Sequence, residues 1–434
     1  MRILIGLVEV AGYGTRLVRG FEALGMDATF ANLHDPPAFR FGGGSAQPIV
    51  RLAQRVMQRR VRCTNGAARA FWLALELAMR VLLLGWASLR FDAFIFLIGN
   101  SFLWGYDLPL LRALGKRVVL VYLGSDERPP YLNGVFVAQH RQDLVTACLR
   151  AGGARKRRLR QAGRHAELVV SHVFSSHFQA GPIVPFLWMG FPSEDLALDV
   201  APAPRAADAP TRILHAPSNP ESKGTEQVRA AIARLRARGH ALEYVELSGR
   251  PHAEVLAELR SCDFVVDEVW SDTPLGGLAT EAASFGKPAV VGGYGWARLR
   301  ALMPADAIPP SAACHPDDLE ATIERLALDP GSATALGAQA RQFLASRWRP
   351  QDVARRYLDL FDGARPGSDW VTDPGSMAYA HGYGMPEPRL RGLLRALLAQ
   401  AGVAGLQLED RPELERCLLD FAHQPDPAHA ETAG

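Results

Sequence analysis

The chain has 434 residues, of which 48% are hydrophobic and 21% are charged, and its formal net charge at pH 7 is +3. This is the composition of a globular protein, and the length is sufficient for two large domains. The small net charge gives no reason to expect a nucleic-acid partner. The five cysteines are odd in number, widely spaced and without metal-ligand pairing, so they predict reduced thiols in a cytoplasmic protein. The first ten residues, MRILIGLVEV, lack the longer apolar region and the cleavage site of a signal peptide, which favours the same compartment.

The N-terminal elements predict a Rossmann-like opening. A buried strand from Arg2 to Val10 precedes a glycine loop and a helix from about Thr15 to Leu24, and Ala28 to Leu33 makes a second strand. The loop consists of Ala11, Gly12, Tyr13 and Gly14. Because it lacks the full G-x-G-x-x-G pattern, two interpretations stay open: a ligand loop, or a tight strand-to-helix turn that glycine permits.

Two basic stretches and one long apolar stretch follow in the first half of the chain. Arginines cluster between Arg51 and Arg62, seven basic residues lie between Arg150 and Arg164, and the apolar stretch extends from Ala70 to Ala87. Glu76 and Arg80 have i,i+4 spacing inside the apolar stretch, which argues against a membrane-spanning helix. A core helix beside solvated charges is the favoured interpretation. The alternative is a helix at an anionic membrane surface, with the basic stretches facing lipid headgroups.

Two further strands are predicted from Asp92 to Ile98 and from Val118 to Leu123. Their carboxyl ends should face one edge of a parallel sheet, where open α/β sheets bind ligands. Asn100 follows the first strand, and Asp126 and Arg128 follow the second. An arginine here can meet a phosphate. The pattern does not identify a catalytic residue, and Asn100 and Asp126 are the candidates at this edge.

A Pro/Ala-rich linker over residues 196–210 separates a first domain, 1–195, from a second domain, 211–347. The second domain is predicted to open with a strand from Arg212 to His215, a polar loop and a helix. Lys223 lies in that loop, directly before the helix, where a lysine can neutralise phosphate charge. An ordinary surface lysine fits the same pattern.

The most specific pattern is the strand–loop–helix–strand unit from Asp263 to Val291. Its glycines, Gly276 and Gly277, let backbone N–H groups approach a ligand, and the helix N-terminus beyond them favours negative charge. A phosphate is the expected occupant. One turn into the helix, the carboxylate of Glu281 can accept two hydrogen bonds from a vicinal diol such as a ribose. The alternative is a glutamate that is merely solvated.

The segment TPLGGLATEAASFGKPAVV, which begins at Thr273, resembles the donor-site signature of GT-B glycosyltransferases. The resemblance is to the retaining group whose two glutamates have seven residues between them. In that group the second glutamate holds the donor ribose and matches Glu281, and the loop glycine matches Gly276. The first glutamate is replaced here by Thr273, so the contact with the donor sugar differs. The resemblance implies an α/β fold with two Rossmann-like domains that face each other across a cleft.

The resemblance also implies the roles of individual residues, with Lys223 matching the lysine of the diphosphate clamp. The residues implied to bind the donor are Ser218, Lys223, Gly224, Ser248, Arg250, Thr273, Gly276, Gly277 and Glu281. Those implied to lie on the acceptor side are Gly12, Tyr13, Gly14, Asp126 and Arg128. Residues 348–364 resemble the late helix that crosses back to the first domain. Residues 365–434 match no motif and predict a helical extension whose end, from His423, is disordered.

These features predict a glycosyltransferase that moves a sugar from a nucleotide-diphosphate sugar to a hydroxyl acceptor, such as a lipid-linked or cell-surface glycan precursor. No Asp-x-Asp metal motif is evident, so neither a metal nor a cofactor is expected. The expected location is the cytoplasm, with peripheral contact at the inner face of the cytoplasmic membrane. Two alternatives stay open: a nucleotide-sugar epimerase on the same fold, and a catalytically silent nucleotide-sugar binding protein. Thr273 and the Gly99-Asn100 pair, which replaces a histidine frequent in the family, motivate the second alternative.

Overall fold

The computed structural model describes residues 1–34, 47–194, 196, 209–363 and 372–425. The chain forms two α/β domains, each built on a parallel sheet. The strands of the first sheet are β1 (Arg2–Val8), β2 (Asp27–His34), β3 (Ala93–Leu97), β4 (Arg117–Val121), β5 (Leu168–Ser171) and β6 (Val184–Pro185). Those of the second are β7 (Thr211–His215), β8 (Leu242–Glu246), β9 (Phe264–Glu268), β10 (Ala289–Gly292) and β11 (Ala312–Cys314).

Both sheets are fully parallel, in the order β2-β1-β3-β4-β5-β6 and β11-β10-β9-β7-β8. Strands β3 and β9 are buried at every position, as expected for strands covered by helices on both faces. Parallel strands place all their carboxyl ends at one edge, so each sheet carries its ligand-binding loops on a single side. The predicted α/β fold of two Rossmann-like domains is confirmed.

The helices cover both faces of these sheets. Those of the first domain are α1 (Tyr13–Ala23), α2 (Pro48–Arg62), α3 (Gly66–Arg90), α4 (Leu108–Ala113), α5 (Gly134–Gln139), α6 (Leu144–Gly163) and α7 (Phe186–Met189). Those that follow are α8 (Pro220–Lys223), α9 (Thr225–Ala237), α10 (His252–Ser261), α11 (Gly277–Ser284), α12 (Trp296–Leu302), α13 (Leu319–Leu328), α14 (Pro330–Arg347), α15 (Pro350–Phe361), α16 (Glu387–Ala401) and α17 (Pro412–His423).

Helix α15 crosses back from the second domain and packs against α1 of the first. The phenol oxygens of Tyr13 and Tyr357 lie 2.8 Å apart in this buried contact. At Gly20 the two helices approach so closely that a side chain would overlap the backbone of Pro350. The crossing helix and the two facing domains complete the GT-B architecture that the resemblance implied. The same contact corrects one expectation, because Tyr13 is fully buried under α15 and does not face the cleft.

Helix α3 is long and apolar enough to cross a membrane, although only 28% of its most apolar window is buried against the protein. Its charged pair is turned inward: Arg80 Nε donates to Glu76 Oε1 at 3.0 Å, and both side chains are buried. Its outer face carries exposed apolar side chains, such as Phe71 at 63% and Leu82 at 55% exposure. The favoured expectation of a core helix beside solvated charges is therefore wrong for this outer face.

The basic stretch from Arg150 to Arg164 lies on α6, where the extension packs against it. Lys156 is buried and pairs with Glu409 at 2.8 Å and Asp410 at 2.7 Å, and Arg160 also pairs with Asp410. Part of this stretch therefore binds the protein's own chain, which leaves less of it for the lipid headgroups that the sequence suggested.

The C-terminal extension is part of the folded body. Leucines of α16 and α17, such as Leu394, Leu397 and Leu418, belong to the same apolar core as the first sheet. Residues 377–387, called the strap below, lie in the seam between the domains. The hydroxyl of Tyr379 donates to Asp272 of the second domain, and its ring stacks on Phe174 of the first, 4.1 Å between centroids. The predicted disordered end largely lies outside the described residues, which stop at 425.

Candidate active site between the domains

A cavity of about 550 Å³ lies between the two domains, at the carboxyl ends of both sheets. It is lined from the first domain by Glu9, Val10, Ala11, Leu123, Ser125, Arg128, Val135 and His172. It is lined from the second domain by Ala216, Ser218, Lys223, Arg250, His252, Val255, Asp267, Glu268, Thr273, Gly276, Gly277, Leu278 and Glu281, and from the strap by Tyr383. The volume is that of a pocket for a small organic ligand.

The predicted donor loop forms the turn from β9 into α11. A side-chain carbon at Gly276 would lie 2.7 Å from Asp267 Oδ2 and 3.2 Å from Glu268 Oε1, so any other residue there would have to displace the Asp267 carboxylate. At Gly277 nothing lies within 4 Å of that position, and the N-terminus of α11 is open to the cavity. Asp267 Oδ2 accepts a hydrogen bond from Ala279 N at 3.3 Å, so this carboxylate already binds one backbone N–H group in the first turn of α11.

Glu281 lies one turn into α11, and its Oε1 is 2.7 Å from Nε2 of His252 on α10. Both side chains are largely buried and both line the cavity. The imidazole therefore fixes the carboxylate, and the second carboxylate oxygen is the one that can accept hydrogen bonds from a ligand diol. His252 follows Ser248 and Arg250 in the stretch that the resemblance places at the nucleotide base.

Lys223 does line the cavity, but it does not present an unpaired ammonium. Its Nζ lies 3.2 Å from Asp267 Oδ1 and also pairs with Glu268. Burial lowers the pKa of Lys223, and the two carboxylates outweigh that effect and raise the pKa above its ordinary value. One cation between two carboxylates leaves a net charge of −1, so the expected phosphate clamp lacks the free positive charge that the sequence suggested.

The other predicted donor residues divide into two groups. Ser218, Thr273 and Arg250 line the cavity, although the Arg250 side chain is largely exposed and lies 3.9 Å from Glu254. Gly224 has a φ of +74° and packs against Val269, which explains the glycine without a ligand. Ser248 does not line the cavity, and its hydroxyl donates to Pro217 O at 3.4 Å.

The N-terminal glycine loop is closed by Glu9, which the sequence analysis did not single out. Its carboxylate accepts hydrogen bonds from Gly14 N and Thr15 N, each at 3.0 Å, and from Thr15 Oγ1 at 2.6 Å. The N-terminus of α1 is thus satisfied by an internal anion. Gly12 has a φ of +80°, and Gly14 packs against Phe30. This geometry favours the tight-turn interpretation of the loop, with Glu9 and Ala11 rather than the glycines at the cavity wall.

Neither catalytic candidate lines the cavity. The carboxylate of Asp126 closes its own turn by accepting from Leu123 N at 3.1 and 3.3 Å. Asn100 follows Gly99, which packs tightly against the ring of Tyr122. Arg128 does reach the cavity, as the sequence predicted, and is 6% exposed.

In the two domains, three more cavity residues with ionisable side chains had no signal in the local sequence pattern: Asp267, Glu268 and His172. Asp267 and Glu268 end β9, and their side chains meet Lys223 only because β9 pairs with β7. His172 follows β5, and burial, followed by the charge of Arg128, lowers its pKa to about 4, so the ring is neutral at pH 7. In the described part of the chain, no group of three or more His, Cys, Asp or Glu side chains is arranged to hold a metal ion.

Neither a protein-family model nor a curated protein sequence matches the chain. Among solved structures, Anabaena Alr3699/HepE in complex with UDP and glucose is 12% identical, with 84% of this chain and 100% of that chain covered and a TM-score of 0.49. An alpha-glucosyltransferase in complex with UDP and a 13-mer DNA is 12% identical, with 83% and 100% covered and a TM-score of 0.47. The glycosyltransferase SnogD from Streptomyces nogalater is 16% identical, with 83% and 99% covered and a TM-score of 0.41. With TM-scores below 0.5, these similarities assign no role to any residue of this chain.

Proposed function

We propose that the protein is a glycosyltransferase that moves a sugar from a nucleotide-diphosphate sugar to a hydroxyl acceptor. The observation that carries this proposal is the joint placement of Glu281 and the open Gly276-Gly277 turn in one interdomain cavity. A diol acceptor and an anion-binding helix N-terminus, one turn apart, match a ribose joined to a diphosphate.

The chemistry requires that negative charge on the leaving diphosphate is stabilised as the glycosidic bond breaks. The N-terminus of α11 supplies backbone N–H groups for this purpose, and Arg128 faces the cavity from the opposite domain. Lys223 contributes less than the sequence suggested, because Asp267 and Glu268 neutralise it. We propose that the transfer needs no metal, which predicts that a chelator such as EDTA leaves the rate unchanged.

Product analysis separates this proposal from its alternatives. The purified protein is incubated with nucleotide-sugars, with and without a bacterial lipid extract as the source of hydroxyl acceptors, and the products are identified by mass spectrometry. A transferase releases nucleoside diphosphate and forms a glycosylated lipid only when the extract is present. Conversion of the nucleotide-sugar without extract would instead identify an epimerase, and binding without turnover under both conditions would identify a silent binding protein.

We further propose that the protein works in the cytoplasm, at the inner face of the cytoplasmic membrane, on a lipid-linked acceptor. The outer face of α3 exposes Phe71, Leu73, Leu77, Val81, Leu82 and Leu89. Arg51, Arg55 and Arg59 are exposed on α2, which packs against α3, and the guanidinium of Arg59 lies 5.4 Å from the ring centroid of Trp72 on α3. Apolar and aromatic side chains next to arginines are complementary to an anionic bilayer, and both helices belong to the domain that faces the acceptor.

A further inference from the structure

The strap is bonded to both domains at the edge of the cavity. Tyr383 N donates to Leu132 O at 2.9 Å, and Tyr383 O accepts from Gly134 N at 2.7 Å, both in the first domain. The next residue of the strap, Gly384, donates its backbone N–H to Trp270 O of the second domain at 2.8 Å. The backbone of Tyr383 is therefore fixed from two sides, and its side chain forms part of the cavity wall.

The ring of Tyr383 lies under the guanidinium of Arg128. The Cζ atom of Arg128 is 4.4 Å from the ring centroid, within the range of a cation–π contact. One edge of the guanidinium is also held, because Nη2 donates to Ser175 Oγ at 2.6 Å. A planar cation that is fixed on one face and at one edge is preorganised to present its remaining N–H groups in one direction.

Arg128 is buried, and no carboxylate among the described residues forms an ion pair with it. Burial lowers the pKa of the Arg128 guanidinium, and the charges of Glu127, Glu268 and Asp126 offset that effect only in part, so an anion that arrives from the cavity would stabilise the cation further. The other basic groups of the cavity differ: Lys223 is neutralised by two carboxylates, and Arg250 is largely exposed to solvent. Arg128 is thus the buried cation best placed for an anionic ligand.

We propose that Tyr383 is a positioning residue that holds the guanidinium of Arg128 for the diphosphate of the donor, so that the strap is part of the active site. This inference rests on the proposed function, because it takes the diphosphate from there. The hydroxyl of Tyr383 interacts with Glu268, so the contact with Arg128 depends on the aromatic face of Tyr383 and not on its hydroxyl.

The test compares binding of a nucleoside diphosphate with binding of the matching nucleoside by calorimetry. In Tyr383→Leu we expect the Kd for the nucleoside diphosphate to rise between about threefold and thirtyfold, with the Kd for the nucleoside unchanged. Tyr383→Phe keeps the ring and should bind both ligands as the wild type does. Arg128→Lys keeps the positive charge but loses the planar guanidinium, and it leaves the sequence of the strap intact. It should also raise the Kd for the nucleoside diphosphate and leave the Kd for the nucleoside unchanged.

Tyr379→Phe is the matched control within the strap, because its hydroxyl bonds to Asp272 outside the cavity. It should lower the melting temperature without changing the ratio of the two Kd values. If Tyr383→Leu weakens both ligands equally, or neither, the role of Tyr383 is refuted while the proposed function stands. If the wild-type protein binds no nucleoside diphosphate, the proposed function is refuted, and the role of Tyr383, which rests on it, is refuted with it. A selective loss in Arg128→Lys with wild-type binding in Tyr383→Leu would also refute the role of Tyr383.

Discussion

Nζ of Lys223 lies 3.2 Å from Oδ1 of Asp267, inside the cavity where a donor diphosphate is expected. Glu268 pairs with the same ammonium, and all three side chains are largely buried. The lysine therefore holds two carboxylates of β9 together beneath the donor loop. Its main effect should be on stability, with an indirect effect on ligand binding.

Replacement of Lys223 by methionine should lower the free energy of unfolding by about 3–5 kcal/mol, because two buried carboxylates lose their common partner. Urea denaturation at pH 7 measures the change. Arg229→Met is the control, since Arg229 is exposed in its pair with Glu246 and should change the free energy of unfolding far less than Lys223→Met does. If Lys223→Met is as stable as the wild type and loses only its affinity for diphosphate, the structural role is contradicted. The lysine would then act as the phosphate clamp that the sequence predicted.

Replacement of Glu281 by glutamine should weaken nucleotide-sugar binding by about 1.5–3 kcal/mol, because a charged acceptor becomes a neutral amide. Calorimetry with the nucleotide-sugar that binds the wild type measures the loss. Glu254→Gln changes an exposed carboxylate on α10, where His252 also lies, and should leave the affinity unchanged. Wild-type affinity in Glu281→Gln would remove the ribose assignment.

The pH dependence of the free energy of unfolding should reveal the lowered pKa of the buried His215. His215 is held on both nitrogens, with Nδ1 2.7 Å from Val266 O and Nε2 2.9 Å from Thr225 Oγ1, and burial lowers its pKa to about 4. The unfolded chain takes up this proton near pH 6.5 and the folded protein does not. The contribution of His215 is therefore present above pH 6.5 and is lost as the pH falls toward 4, at up to about 1.4 kcal/mol per pH unit.

His215→Gln should flatten this part of the profile, as measured by urea denaturation between pH 4 and 7, even if it lowers stability throughout. Equal slopes in the wild type and His215→Gln would contradict the assignment.

The membrane proposal predicts co-sedimentation with anionic vesicles at low salt and little with neutral ones, because each arginine near the surface contributes about 1 kcal/mol and salt screens it. Replacing Phe71, Leu77 and Leu82 by serine should reduce pelleting with little effect on folding, since all three are exposed. Leu328→Ser, at an equally exposed apolar site in the second domain, should have no effect. Wild-type protein that stays in solution with anionic vesicles at low salt would rule out this surface.

The sequence predicted the local units well, because strands buried on both faces and glycine turns leave strong patterns. The β9–loop–α11–β10 unit extends from Phe264 to Gly292, which matches the predicted segment from Asp263 to Val291 to within one residue at each end, and α15 begins at Pro350 in the predicted crossing region. Fold class and architecture are confirmed. The binding roles of the site residues stay predictions.

The contacts that decide the site are long-range, and the local pattern could not show them. Glu9 caps a helix that begins four residues later. The G-x-G-x-x-G motif does not include a residue at this position, so the motif gives no sign of the cap. Lys223 meets Asp267 across 44 positions of the sequence, and Tyr383 meets Arg128 across the domain seam. The extension had no motif, so its strap was not recognised as part of the cavity.

The proposed function requires that the cavity beside Glu281 binds a nucleotide-diphosphate sugar. The most direct measurement is the melting temperature of the purified protein with uridine, guanosine, adenosine, thymidine and cytidine diphosphate sugars. We expect at least one of them to raise the melting temperature, since a ligand at 100 times its Kd stabilises the folded state by about 2.7 kcal/mol. We also expect that Glu281→Gln needs a higher concentration of the same ligand for an equal shift. No shift with any of the five classes, at concentrations up to the millimolar range, would contradict the account.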